Sequence, residues 1–74
     1  MKIVIGMPAF NESKKIAGII NKIKTISNNI IVCNDGSTDS TGSIAQKTGV
    51  IVINHEKNLG YGAAINSIFS KARE

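Results

Sequence analysis

The sequence predicts an α/β fold: a three-layer βαβαβα arrangement around a parallel sheet, with strand order 3-2-1. Three observations carry that prediction. Short β-branched runs alternate with longer segments whose apolar residues recur at helical spacing. The order is strand, helix, strand, helix, strand, helix, with no linker or low-complexity stretch between them. Such alternation implies parallel strands joined by right-handed crossovers, with helices on the faces of the sheet.

The first strand is Lys2-Ile3-Val4-Ile5-Gly6-Met7, apolar throughout and suited to burial on both faces. Pro8 is expected to end it, because proline gives no N–H to a ladder. From Glu12 the period changes, and Ile16, Ile19, Ile20, Ile23 and Ile26 fall on one helical face. Asn11 or Ser13 can cap that helix, Glu12 suits its positive end, and Ser27-Asn28-Asn29 closes it. Ile30-Ile31-Val32-Cys33-Asn34 is the second strand, followed by the turn Asp35-Gly36-Ser37-Thr38-Asp39. A weaker helix from about Asp39 to Thr48 turns Ile44 and Ala45 inward, and Gly49 stops it. Val50-Ile51-Val52-Ile53 is the third strand, and Asn54 to Asn58 a polar loop. Tyr61, Ala64, Ile65, Ile68, Phe69 and Ala72 mark the third helix.

Helices 1 and 2 are expected on one face and helix 3 on the other. In a complete doubly wound sheet helix 3 would lead to a further strand beside strand 1. Strand 1 is therefore expected to present an exposed apolar edge, a natural pairing site. The 74 residues read as a single domain, the first part of a larger one.

Composition narrows the function. With 42% apolar residues the chain is not disordered, and at 74 residues its core is marginal. No apolar run approaches a membrane span. The single cysteine, Cys33, cannot form an internal disulfide, which fits a reducing, cytoplasmic compartment. It reads as a small buried hydrophobe rather than a nucleophile. The net charge of +4 owes much to Lys14, Lys15, Lys22 and Lys24. They read as the solvated face of a helix. No nucleic-acid partner is expected, since no aromatic residues interleave with them.

Ligands of open α/β sheets bind beyond the carboxyl ends of the strands. Three loops fall there: Pro8 to Glu12, Asn34 to Asp39, and Asn58 to Ala63. Asp35 occupies the position from which such folds hold a ribose hydroxyl, and it reads equally well as a turn residue followed by a positive-φ Gly36. Asp39 is better explained as an acid in a helix's first turn, which needs no ligand. There is no G-x-G-x-x-G and no G-x-x-x-x-G-K-[ST]. Gly60-Tyr61-Gly62 reads as a tight turn into helix 3 rather than a phosphate cradle. His55 reads as a solvated loop residue. Phe10 can stack on a base or simply pack its loop.

At these three loops the sequence resembles the family 2 glycosyltransferases. The matching stretches are Met7-Pro8-Ala9-Phe10-Asn11-Glu12, Ile31 to Asp39 with its Asn-Asp-Gly-Ser-Thr-Asp run, and Asn58-Leu59-Gly60-Tyr61-Gly62-Ala63-Ala64-Ile65-Asn66. Dolichyl-phosphate mannose and glucose synthases resemble it most, and undecaprenyl-phosphate and polysaccharide enzymes share the motifs. The resemblance implies the Rossmann-like half of a GT-A fold and a nucleotide-diphosphate-sugar donor, UDP- or GDP-linked. It points to Pro8, Phe10 and Glu12 for the base and ribose, Asp35 for base or ribose, and Asn58 and Gly60 for closing the pocket. Asn34 and Phe10 stand where many members carry aspartate and tyrosine.

The family's metal-binding Asp-x-Asp and its acceptor site lie further along and are not among these residues. A divalent metal, Mg²⁺ or Mn²⁺, is thus expected only in a full-length enzyme, and no catalytic or metal-ligating residue is assigned here. The chain is expected to be the donor-binding portion of an enzyme that transfers sugar to a lipid-phosphate or saccharide acceptor, inactive alone. Full-length relatives with lipid acceptors are expected to associate with membranes. The alternative is a self-associating remnant, a homo-oligomer through the strand 1 edge with no nucleotide ligand.

Overall fold

The computed structural model describes residues 3–74. The elements are β1 (Val4–Ala9), α1 (Ile16–Ile23), β2 (Asn29–Asp35), α2 (Thr41–Lys47), β3 (Ile51–His55) and α3 (Tyr61–Ala72). The three strands are parallel and lie in the order β1-β2-β3.

Register explains the layers. Val4 pairs with Asn29 and Ala9 with Asn34, while Ile31 pairs with Ile51 and Asp35 with His55. Successive side chains of a strand alternate between faces. Ile30 and Val32 therefore join Ala9, Ile16, Ile20 and Ala45 in one buried cluster beneath α1 and α2. Ile31 and Cys33 join Ala64 and Ile68 in a second cluster beneath α3. β2 is the central strand, and its residues from Ile30 to Asp35 are all buried. Gly6 lets α3 approach the sheet: a Cβ there would run into the Ile68 side chain.

Several boundaries differ from the expected ones. Lys2 lies outside the described residues. Pro8 does not end the first strand but sits within β1, paired with Cys33. β1 is an edge strand of this sheet, where a missing N–H is tolerated. The first helix is shorter than its apolar stripe. The Glu12 carbonyl accepts from both Lys15 and Ile16, so regular helix starts only after that turn. Beyond Ile23, bonds from Ile26 and Ser27 to the Ile23 carbonyl tighten the last turn. Ile26 is left 68% exposed, outside the core. Neither Asn11 nor Ser13 caps α1; Lys15 stands at the N-cap without a side-chain bond.

β3 extends past Ile53, because Asn54 and His55 continue the pairing with Asn34 and Asp35. Of the four lysines, Lys14, Lys15 and Lys22 are exposed. Lys24 is not simply solvated: its Nζ donates to the Thr48 carbonyl at the end of α2. On α3, Ala64 and Ile68 are buried, whereas Tyr61 and Phe69 lie largely outside the core. Among the described residues no helix is long and apolar enough to cross a membrane.

Candidate functional site

The carboxyl ends of β1, β2 and β3 bring the three polar loops to one rim, and side chains bond them to one another. Asn11, at φ 52°, accepts through Oδ1 from the Thr38 N–H at 2.9 Å and donates its own N–H to Ser37 Oγ at 3.0 Å. The buried Thr41 hydroxyl accepts from the Glu12 N–H at 2.8 Å and donates to Asp39. Asp39 also accepts from the N–H groups of Thr41 and Ser13. The Thr41 hydroxyl leads these bonds in holding the Asp39 carboxyl down to about 2 from 3.8. Asp39 is thus an anchor between the first and second loops; it precedes α2, which starts at Thr41 rather than at Asp39 and has no acid in its first turn.

Asp35 makes the second junction. Its Oδ1 accepts from the Leu59 N–H at 2.9 Å and from His55 Nδ1 at 2.8 Å, and its Oδ2 accepts from the Gly60 N–H at 3.0 Å. The Leu59 N–H, then His55, hold its carboxyl below the usual range against the opposing effect of burial. Asp35 therefore reaches 24 and 25 residues along the chain instead of bonding within its own turn. The turn is served by Asn34, whose Oδ1 accepts from the Ser37 N–H at 3.3 Å. Gly36 has the expected positive φ, 73°. A Cβ there would lie 2.7 Å from Lys57 Cα, so the turn and the β3–α3 loop fit together only through glycine. Gly60, at φ 99°, makes the turn into α3.

A cleft of about 230 Å³ opens between these loops, lined by Pro8, Ala9, Phe10, Asp35, Asn58, Gly60 and Tyr61. It collects five of the six residues singled out from the sequence. The sixth, Glu12, faces a separate depression shared with Asn11, Ser13, Lys14, Lys15 and Asp39. Tyr61 is an addition: placed in the core stripe from its spacing, it is 74% exposed at the cleft. A larger cavity, about 310 Å³, lies at the opposite, amino end of the strands beside Val4, Ile30 and Ile51. Its lining is also polar in part, with Asn28, Asn29, Lys71 and Glu74, but α/β sheets hold ligands at the carboxyl end.

His55 corrects the sequence reading. It is not a solvated loop residue but the last residue of β3, with a side chain only 9% exposed. Its Nδ1 meets Asp35 and its Nε2 meets Ser67 Oγ of α3 at 2.8 Å. The pairing of Asp35 with His55 was available to a register argument once β3 was carried two residues further. Cys33 Sγ lies 3.6 and 3.9 Å from the two ring nitrogens of His55. Near-equal distances show that the sulfur is not aligned with one nitrogen alone. Burial, and then the Asp35 charge, push its thiol pKa up. That is the environment of an inert cysteine, as the sequence suggested. Among the described residues, no group of three His, Cys, Asp or Glu side chains could hold a metal ion.

The fold and cleft define an α/β unit that presents three polar loops beyond the carboxyl edge of a parallel sheet. Residues 4–74 match Glycosyl transferase family 2, and the chain belongs to that family. It is 43% identical, over 89% of its length, to an uncharacterized protein of Methanocaldococcus jannaschii. It is 33% identical over 92% to the UDP-N-acetylglucosamine--dolichyl-phosphate N-acetylglucosaminyltransferase of Methanococcus voltae. It is 36% identical over 88% to the dolichyl-phosphate hexose transferase of Haloferax volcanii. The chain spans only 28%, 34% and 29% of these relatives, respectively. The parallel sheet is compatible with the Rossmann-like half of a GT-A fold.

Proposed function

We propose that this chain holds the nucleoside end of a nucleotide-diphosphate-sugar donor. The donor would serve an enzyme that transfers the sugar to a lipid-phosphate or saccharide acceptor. The observation that carries the reading is the single cleft gathering Pro8, Phe10, Asp35, Asn58 and Gly60 from all three loops. Family membership supports the donor class. The names of two relatives, both dolichyl-phosphate transferases, support a lipid-phosphate acceptor. Phe10 and Tyr61 offer ring faces for a base. Asp35 and Asn58 offer polar atoms to fix its orientation. Glu12, outside the cleft, is assigned to the loop framework rather than to the base.

The residues present do not suit the divalent metal that such a reaction uses. The two aspartates, Asp35 and Asp39, each already receive three or more hydrogen bonds from protein donors. The sequence holds no Asp-x-Asp pair. We assign the metal and the acceptor site to other residues of a longer protein. These 74 residues alone bind donor without transferring sugar.

An NMR titration with UDP and GDP, with and without Mg²⁺, tests this. The expected result is metal-independent shifts of the Phe10, Asn58, Gly60 and Tyr61 amides. A folded spectrum that neither nucleotide perturbs would overturn the reading. It would favour the second one, self-association through the free edge of β1, where Val4 is 41% exposed. Sedimentation would then show a dimer or larger species.

A further inference from the structure

We propose that His55 sets which base the cleft accepts, by filling part of the Asp35 carboxylate, and that it thereby favours uracil over guanine. The inference rests on the donor-binding reading above and goes further, to the choice of base. A carboxylate has about four acceptor positions, two on each oxygen. In Asp35, Oδ1 already receives the His55 Nδ1–H and the Leu59 N–H, and Oδ2 receives the Gly60 N–H. One position remains, on Oδ2. Asp35 is only 4% exposed but lines the cleft beside Asn58 and Gly60; the remaining position is assigned to the ligand.

Guanine recognises a carboxylate with two adjacent donors, N1–H and the exocyclic N2–H, one to each oxygen. That bidentate pairing needs a free position on both oxygens. Here Oδ1 is full, so guanine would bury one donor without a partner or displace His55 or the Leu59 amide. Uracil offers one donor, N3–H, between two carbonyls. It needs one acceptor, and the Asn58 amide in the same lining supplies a donor for a flanking carbonyl.

His55 is the adjustable part. Leu59 and Gly60 give backbone N–H groups that no substitution except proline removes. The imidazole is a side chain, held at Nε2 by Ser67 and packed beside Cys33. His55 does not itself line the cleft and reaches it only through its bond to Asp35, so it is a positioning residue. Its signature is a change in selectivity, which general loosening of the loop would not produce.

The experiment measures the Kd of UDP and of GDP for the 74-residue chain by NMR or calorimetric titration, in the native sequence, His55→Leu and His55→Gln. Losing one hydrogen bond to a charged group changes affinity by roughly tenfold. The native chain should bind UDP at least about tenfold more tightly than GDP. His55→Leu should close most of that gap by freeing an Oδ1 position. His55→Gln, whose amide can donate to Asp35, should restore it. GDP binding as tight as UDP in the native chain would overturn this inference and leave the donor reading standing. So would a UDP-to-GDP ratio that His55→Leu leaves unchanged. Binding of neither nucleotide by the folded native chain would overturn both. If His55→Leu does not fold, His55→Phe, which keeps a ring beside Cys33 but donates nothing to Asp35, takes its place with the same expected narrowing of the ratio.

Discussion

Replacing Gly36 by alanine tests the junction between the second and third loops. Two separate costs arise at this position. The first is conformational: φ is 73°, and an L-residue in the left-handed region costs about 1–2 kcal/mol. The second is steric. The new Cβ would overlap the backbone of Lys57 and Asn58, and neither can swing aside as a side chain can. Overpacking of this kind costs about 1–3 kcal/mol. The sum, about 2–5 kcal/mol, is a large part of the roughly 4–11 kcal/mol expected for a domain of this size. Gly49 supplies the control, because its φ is 90° but nothing lies within 4 Å of its missing Cβ. Gly49→Ala should carry the first cost without the second. Urea unfolding followed by circular dichroism would give both values, read as shifts in midpoint at constant slope. Gly36→Ala should exceed Gly49→Ala by about 1–3 kcal/mol. Equal losses would refute the claim that the β3–α3 loop is seated against the turn.

Thr41→Val keeps the volume but strands the Glu12 N–H, whose partner is the buried Thr41 hydroxyl; a loss of about 1–3 kcal/mol is expected in urea unfolding. Asp39 gives a pH signature. Its folded-state pKa is lowered from 3.8 to about 2, so its contribution is fully present above the unfolded value and is lost as pH falls through the folded one. Stability should decline between about pH 4 and 2, and Asp39→Asn should flatten that limb of a stability-versus-pH curve. Cys33, buried with a raised thiol pKa, should react with iodoacetamide only as fast as the chain opens, so its alkylation rate should rise with urea. Gly18 is exposed in α1, with nothing within 4 Å of its missing Cβ. Gly18→Ala should stabilise by about 0.5–1 kcal/mol in thermal or urea unfolding.

The layers were legible because β2 is buried on both faces. An unbroken apolar run from Ile30 to Cys33, too short for a helix, suits a strand covered above and below. Strand alternation then assigns each of its residues to a helix layer. Boundaries were less legible wherever a polar residue continued an apolar element. Asn54 looks like loop, yet it closes a hydrogen bond of 2.9 Å with Asn34, its partner in register, on the α2 face. A Cβ at Gly42 of α2 would approach the same pair, 2.5 Å from Asn34 Nδ2. The amide pair is therefore set under the helix, and its strand character depends on a partner 20 residues away. Pro8 misled in the opposite direction. It signals a strand end by itself, and only knowledge that β1 is an edge permits it to stay. His55 was missed for the same reason as Asn54: polar pairs across a parallel sheet leave no periodic signal.

Side-chain bonds between the loops also pre-organise the cleft. A loop that must be ordered on binding subtracts its ordering entropy from affinity. Here each loop is tied to another by side-chain bonds to backbone. Asn11 and Thr41 tie the first to the second, and Asp35 ties the second to the third. Among the described residues no buried side-chain nitrogen or oxygen lacks a partner. The arrangement sets a condition on any ligand. On the donor-binding reading proposed above, the ligand would use the acceptor position left on Asp35, the Asn58 amide and the two aromatic rings. A group that displaced Leu59 or Gly60 from Asp35 would lose the loop that forms one wall of its own site. Selectivity in such a cleft follows from the hydrogen bonds the protein has already made, and His55 is the side chain through which that count can be changed.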